Sequence, residues 1–364
     1  MNIFVKKNLQ SIFKRIGQKI FLIIYGKIKG FTKELKKNGV EVVKSKIGRK
    51  LYKVYLIRNG RLYTDTVNDT AIISRKTLVK GASYQYRLNL NVNPKKNIVF
   101  EKGTPRIKKI LSGTILSTLS GGAGNSNYWH WLFDVLPRLK IVENILSLKK
   151  INFFLVPSIK KKFQLQSLKL LKIKKNKILP SENFRHIQTN SLIVTDHPYV
   201  FKNNPSKEIQ NIPIWIIDWL KEKFVSKKKR VINQSTKIFI DRDNSKDNRR
   251  RIINHKELLF FFKNKGFKII KLENLSFLKQ VSFFSNAKII AGLHGAGFAN
   301  IVFAKKKTMV IEIKPVTAGN VIRNLSIKNN LNYKSLSVKP LKNLKNQFGE
   351  IYVSLKKLDN LLNK

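Results

Sequence analysis

The sequence predicts an α/β protein of two domains. Three observations carry this: a length of 364 residues, more than one ordinary compact core needs; a strand, glycine-rich turn and helix in succession from Thr114; and a clean alternation of apolar strands with helical segments from Lys237. Hydrophobic residues at 42% and aromatics at 10% supply both cores despite a formal net charge of +54.

Residues 1 to about 48 read as a basic leader, helical or loosely ordered, broken by Gly26, Gly30 and Gly39. Within it Ile12, Ile16, Ile20, Ile23 and Ile24 share a helical face, with Lys14, Arg15, Gln18 and Lys19 opposite. Such a helix suits an anionic membrane surface, and it suits docking on its own protein equally well, because one periodicity serves both. The apolar run Ile20 to Tyr25 falls far short of a membrane span, and no small-residue cleavage site of a signal peptide follows. Together with the basic surface, the leader predicts a cytoplasmic protein, peripheral at the inner face of a membrane.

Short β-type runs come next, at Lys53 to Ile57, Ala71 to Ser74, Ser83 to Leu88 and Ile98 to Glu101. The α/β pattern opens with the strand Thr114 to Leu119, a turn at Gly121, Gly122 and Gly124, and an aromatic helix from about Ser126. It continues with a strand Phe153 to Pro157, a helix Lys161 to Ile173, short strands around Ile178 and Leu192 to Thr195, and a helix Pro213 to Lys223. The polar stretch Ser226 to Thr236 is the expected boundary, separating an N-terminal domain at 49–228 from a C-terminal one at 229–364. Beyond it lie strands at Lys237 to Asp241, Phe267 to Leu272, Lys288 to Leu293 and Thr308 to Ile313, with helices at Asn254 to Asn264 and Ser276 to Ala287 between them. Continuous apolar strands separated by helices predict a parallel, doubly wound sheet, which takes its ligand at the carboxyl ends of its strands.

Of 74 basic residues 59 are Lys and 15 are Arg, against 20 acidic ones, and the chain also holds 36 Asn. A protein built to grip phosphates leans on the bidentate Arg fork, so this lysine excess is in large part compositional bias. The runs Lys160 to Lys162, Lys227 to Arg230 and Lys305 to Lys307 still provide attraction for anionic lipid or nucleic acid, or simply a solvated surface. The absence of Cys excludes disulfides, thiolate metal sites and a Cys nucleophile. No HExxH, GxSxG or GxxxxGK[ST] is present, so zinc proteases, α/β-hydrolases and P-loop NTPases lack their signatures.

Three segments can carry chemistry. In KIIAGLHGAGFAN, a buried strand runs into His294, Gly295, Ala296 and Gly297, where backbone N–H groups at a helix start attract phosphate oxygens; glycine-rich turns of this kind also arise from packing alone. Asp241 and Arg242 end another strand, and Arg249, Arg250, Arg251 and Asn254 follow at the expected start of the next helix, so these cations either converge on a diphosphate or form a solvated loop. Tyr128 to Arg138 places His130 and Asp134 four residues apart on one helical face, as an imidazole base oriented by a carboxylate or as a structural link between elements. Trp129 and Trp131 either wall a sugar cleft or belong to a core.

Taken together, YWHWLFDVLPRL, the Asp241-Arg242 strand end followed by RRRIIN, and IIAGLHGAGFANIVF followed by MVIEI resemble glycosyltransferase family 61, in order and in separation. The resemblance implies a GT-B-like fold, two Rossmann-like domains facing a cleft. It also implies inverting transfer of a hexosyl or pentosyl group from a nucleotide-sugar to a glycan or lipid-linked acceptor. Neither a cofactor nor an essential metal is expected, and the setting is capsule or other surface polysaccharide synthesis. It places His130 and Asp134 on the catalytic side and Arg242, Arg251, Asn254, His294, Gly295, Ala296, Gly297 and Asn300 around the donor, with Arg138 also on a matching position. Positions 241 and 255 depart from the family, which usually carries Ser-Arg where this chain has Asp241-Arg242 and often Asn-Glu where it has Asn254-His255. The alternative function is a non-catalytic basic protein binding nucleic acid or an anionic polymer.

Overall fold

The computed structural model describes residues 3–86, 91–120, 126–202, 204–226, 235–242, 250–341 and 349–363. The chain is mixed α/β and divides into two compact units, one formed by Met1–Gln164 and Ile173–Glu208, the other by Leu165–Lys172 and Ile209–Lys364. The expected turn glycines Gly121, Gly122 and Gly124, the run Lys227 to Arg230 and Arg249 lie outside the described residues.

The first unit opens with the helix Ile3–Tyr25, which ends before Gly26 in the left-handed region at φ 73°. Its sheet is mixed. Strands β1 (Val40–Ile47), β2 (Lys50–Arg58), β3 (Arg61–Thr64) and β4 (Asp69–Ser74) form antiparallel hairpins. Strands β5 (Lys109–Ser117), β6 (Phe153–Val156), β7 (Ile178–Pro180) and β8 (His186–Thr195) run parallel in the order β8-β5-β6-β7. Along its other edge β8 pairs antiparallel with β2 and β3. Residues Ile57, Leu62, Ile72, Ile115, Leu155, Ile187 and Leu192 make the core beneath this sheet. The chain moves outward from β5 through β6 to β7 and then returns to β8 on the opposite side of β5. The strand order therefore reverses between β5 and β8.

The β-type run Ile98 to Glu101 is helical instead, over Ile98–Lys102. Asn97 caps it through its side-chain oxygen and the Asp69 carboxylate accepts the Ile98 N–H at 2.7 Å, so local capping overrides the β preference of Ile and Val.

The second unit carries a five-stranded, wholly parallel sheet: β9 (Lys237–Asp241), β10 (Lys268–Lys271), β11 (Ile289–Leu293), β12 (Met309–Pro315) and β13 (Asn332–Val338), in the order β10-β9-β11-β12-β13. Phe239, Leu258, Phe262, Ala291, Ile311 and Ile313 pack into one core, with the Phe239 and Phe262 rings stacked at 4.2 Å. The helix Phe277–Asn286 begins at Ser276, whose hydroxyl accepts the Lys279 N–H. Here the strand order reverses between β9 and β11. Residues Arg250–Ile252, expected at a helix start, form instead a short strand paired with Gly349–Ile351, and the helix begins at His255.

Candidate functional site

In the first unit the reversal point is occupied. Beyond β5 lies Ser120, beyond β8 lie Asp196 to Tyr199, and the segment that leaves β5 returns over this edge as Tyr128–Glu143. Asn127 caps its start by accepting the Trp129 N–H at 2.9 Å. From Trp131 to Val135 the backbone makes a π-helical turn, with Leu136 N–H bonded to the Trp131 carbonyl five residues back. Pro137 has no N–H to give Phe133, and its ring would crowd that carbonyl in an α-turn, so the widened turn accommodates it.

On this turn the Asp134 carboxylate, 1% exposed, accepts the His130 Nδ1–H at 2.7 Å and the Tyr199 hydroxyl proton, with His197 Nε2 at 3.7 Å. Burial pushes this carboxyl up, yet His130 and His197 beside it outweigh burial and hold it well below the usual carboxylate range. It therefore stays an anion. Burial drives the His197 imidazole down and the Tyr199 phenol far up, the latter with help from the Asp134 charge. With its Nδ1–H given to Asp134, His130 presents the Nε2 lone pair, which faces the Tyr86 hydroxyl at 3.5 Å. Burial, then the Asp134 charge, pushes Tyr86 up to about 12, so it remains a proton donor.

Arg138 closes the arrangement. Fully buried, its guanidinium donates to the Asp134 carbonyl at 3.1 Å, to Thr195 O at 3.1 Å and Oγ1 at 3.2 Å, and to Ser120 Oγ at 3.2 Å. It thus clamps the ends of β5 and β8 to the π turn. Trp131, 1% exposed and packed on Phe163, and Trp129, packed on Phe133, belong to the core rather than to a cleft wall. The large apolar area of each indole decides the matter.

In the second unit His294 sits just beyond β11, with its Nδ1 on the buried Glu312 carboxylate of β12, which also accepts the Tyr333 hydroxyl of β13. Gly295 is extended, at φ 163°, a conformation open to any residue. At Gly297 a Cβ would stand 2.8 Å from Leu272 Cδ1, the tip of a half-buried side chain that can move aside, so packing alone does not demand glycine there. Ala296 starts the 3₁₀ segment Ala296–Phe303, and Asn300 within it donates to Gln280 at 3.0 Å and to the Gly297 carbonyl at 3.2 Å. At the end of β9, Asp241 is buried and paired with His255 Nε2 at 2.8 Å, with Lys271 at 3.8 Å. The two positions at which the sequence resemblance departs, 241 and 255, are thus hydrogen-bonded to each other.

The remaining expected donor residues divide. Arg242 follows Asp241 at the reversal point between β9 and β11 and is partly exposed. Arg251 is exposed on the small two-stranded sheet, 3.6 Å from Glu350. Asn254 spends its amide on the Val353 backbone, donating at 2.9 Å and accepting at 3.0 Å. Among the described residues no group of three or more His, Cys, Asp or Glu is placed to hold a metal ion.

Sequence reasoning missed Tyr86, His197, Tyr199, Glu312 and Tyr333. Glu312 had a signal: a carboxylate inside the apolar strand MVIEI is costly unless partnered. No curated protein matches the chain significantly. The family model described as Glycosyltransferase 61 matches residues 128–311, half of the chain, from the π turn of the first unit to β12 of the second. Such membership implies a glycosyltransferase with a sugar donor and an acceptor. On that match and the three motifs it spans, the chain belongs to glycosyltransferase family 61.

Proposed function

We propose that this protein moves a sugar from a nucleotide-sugar to a hydroxyl of a glycan or lipid-linked acceptor, inverting the anomeric centre, in the synthesis of a surface polysaccharide such as a capsule. The observation that carries the reading is the buried His130–Asp134 pair, with Tyr199 holding the far side of the carboxylate. An acceptor hydroxyl takes the place of the Tyr86 hydroxyl at His130 Nε2. Its proton passes to Nε2 as the oxygen attacks the anomeric carbon, and the bond from that carbon to the diphosphate oxygen breaks. Asp134 stabilises the imidazolium that forms, and Arg138 keeps the turn in place.

In this reading the nucleoside diphosphate lies at the carboxyl edge of the second sheet, on Arg242, Arg251 and the backbone of His294 to Gly297. Charge gathering on the leaving group is met there by the guanidinium groups and N–H dipoles, without a metal or cofactor. Asn300 supports that backbone through the Gly297 carbonyl, while Asn254 holds the Val353 backbone. The two units act as the acceptor and donor halves of a GT-B transferase, with a hexosyl or pentosyl group as cargo.

A panel of UDP-, GDP- and CMP-sugars tests this by thermal shift and slow donor hydrolysis. One nucleotide should stabilise the protein and release its sugar, and Arg242→Ala should lower that rate about 100-fold with the fold intact. Wild-type turnover in Arg242→Ala would remove it from the site. Absence of any donor effect, with steeply salt-dependent nucleic-acid binding, would replace the transferase reading with that of a basic binding protein.

A further inference from the structure

The helix Ile3–Tyr25 has two faces, and the structure shows which one its own protein uses. Leu22 packs on Gly103, Gln18 donates to the Glu101 carbonyl, and the Tyr25 hydroxyl accepts the Lys108 N–H at 3.1 Å while its ring stands edge-on to His186 at 4.9 Å. Gln18, Phe21, Leu22 and Tyr25 therefore face the protein. The isoleucines point elsewhere: at about 100° per residue they cover roughly 120° of arc on the other side. All five are exposed, Ile23 by 84%. Among the described residues no helix is long and apolar enough to cross a membrane.

Two more exposed isoleucines stand on the strand end where the helix docks, on either side of Lys108, whose N–H bonds to Tyr25. Ile107, 75% exposed, shares a cleft of about 490 Å³ with Phe21 of the helix. Ile110, 76% exposed, stands opposite Gln188 on β8, and so on the sheet face that also carries His186 and receives Tyr25. The cleft is basic, with Arg106, Lys109 and Arg185 in its wall, while its acid Glu182 is paired with Lys160 at 3.4 Å. Arg15 and Lys19 run along one edge of the isoleucine arc on the helix, and both are exposed. Exposed apolar side chains rimmed by cations are what an anionic bilayer recognises, with acyl chains taking the isoleucines and phosphates the cations.

We propose that the isoleucine arc, Ile107, Ile110 and the Arg106–Lys109–Arg185 cleft form one docking surface for a bilayer containing anionic phospholipid, with a headgroup phosphate seated in the cleft. The surface lies within one unit and does not depend on the transfer chemistry.

Flotation of the full chain with vesicles of phosphatidylcholine, alone or mixed with phosphatidylglycerol, tests it. The protein should float with the anionic vesicles only. Replacing Ile20, Ile23 and Ile107 together by Ser leaves the net charge unchanged and should weaken partition about tenfold. Arg106→Glu with Lys109→Glu and Arg185→Glu should lose about as much, whereas the same charge change at Lys305, Lys306 and Lys307 should lose far less. Phe260→Ser, an exposed apolar change in the second unit, should float as the wild type. An isoleucine variant that floats normally would overturn the proposal. Equal loss in the two charge-reversed proteins would also overturn it, leaving only attraction by net charge. Self-association abolished by the isoleucine variant would instead make the face a contact between copies. Because these side chains are exposed, thermal unfolding and donor hydrolysis of the isoleucine variant should match wild type, which separates failure here from failure of the transferase reading.

Discussion

The two units carry the same small device in two ways. In each, a buried carboxylate beside or within the parallel strands holds a histidine Nδ1 and a tyrosine hydroxyl: Asp134 with His130 and Tyr199, Glu312 with His294 and Tyr333. In the first unit the histidine and carboxylate share one turn of helix. In the second the three groups come from neighbouring strands on a diagonal, with His294 two positions past Gly292, the β11 partner of Glu312, and Tyr333 two positions before Ser335, its β13 partner. In the first the pair is fixed by Arg138, which ties its turn to the ends of β5 and β8, whereas in the second the triad is fixed by the sheet itself. A proton transfer suits the first, whose His130 Nε2 faces a hydroxyl, and a backbone cradle for a diphosphate the second, whose histidine leads into the Gly295 to Gly297 turn.

The largest effect expected from this difference is on turnover. Asp134→Asn should lower kcat by about 10² to 10⁴ with little change in donor KM, whereas Glu312→Gln should act mainly through donor KM. Steady-state kinetics on both variants would reverse the assignment if Glu312→Gln took the greater toll on kcat. Next in size, Arg138→Met should destabilise the first unit by about 3 kcal/mol, because the carbonyl and hydroxyl oxygens it satisfies would be left buried and unpaired. Denaturant unfolding followed by tryptophan fluorescence in a variant lacking Trp215 and Trp219 would report it. Asn254→Ala should cost the second unit about 2 kcal/mol through the orphaned Val353 N–H and C=O, without moving donor KM. A change in KM at unchanged stability would make Asn254 a donor ligand after all.

Acidity should also separate the units. Burial holds His186 down to about 4 and lowers His197, while Asp134 lies below its ordinary value. All three bind protons more readily unfolded than folded, so each contributes stability that falls as pH falls. For the histidines the decline starts near their unfolded pKa of about 6.5, and for Asp134 near about 3.9. The Tm should therefore fall between neutrality and pH 4, and His186→Gln should flatten part of that limb. The smallest effect belongs to Arg251→Ala, whose exposed pairing with Glu350 is worth less than about 1 kcal/mol. A clear rise in donor KM in that variant would then report the donor alone.

Legibility in the sequence follows the same division. His130 and Asp134 were visible because helical spacing converts a gap of four into a shared face. Tyr199 reaches Asp134 from 65 positions away, and nothing local announces it. Four strands of the second sheet were legible, most clearly β9, β11 and β12, which are largely buried and read as apolar runs; the edge strand β13, NYKSLSV, alternates polar residues, is mostly part-exposed and was missed. The polar occupants of the sheet were not legible, since His294 meets Glu312 only through the pairing of β11 with β12. The mixed sheet of the first unit was legible only in pieces, because its hairpins face partners that their own sequence does not specify.

The π turn carries one further consequence. It adds a residue to the helix. Because that extra residue is absorbed in the wide turn, an α-helix one residue shorter would keep the same phase on either side, and the proline is what stands against it. Deleting Val135 would bring the Leu132 carbonyl under the Pro137 ring, which has no N–H to return to it. The wide turn and the proline are thus one feature, and the deletion should be tolerated only once Pro137 is replaced as well.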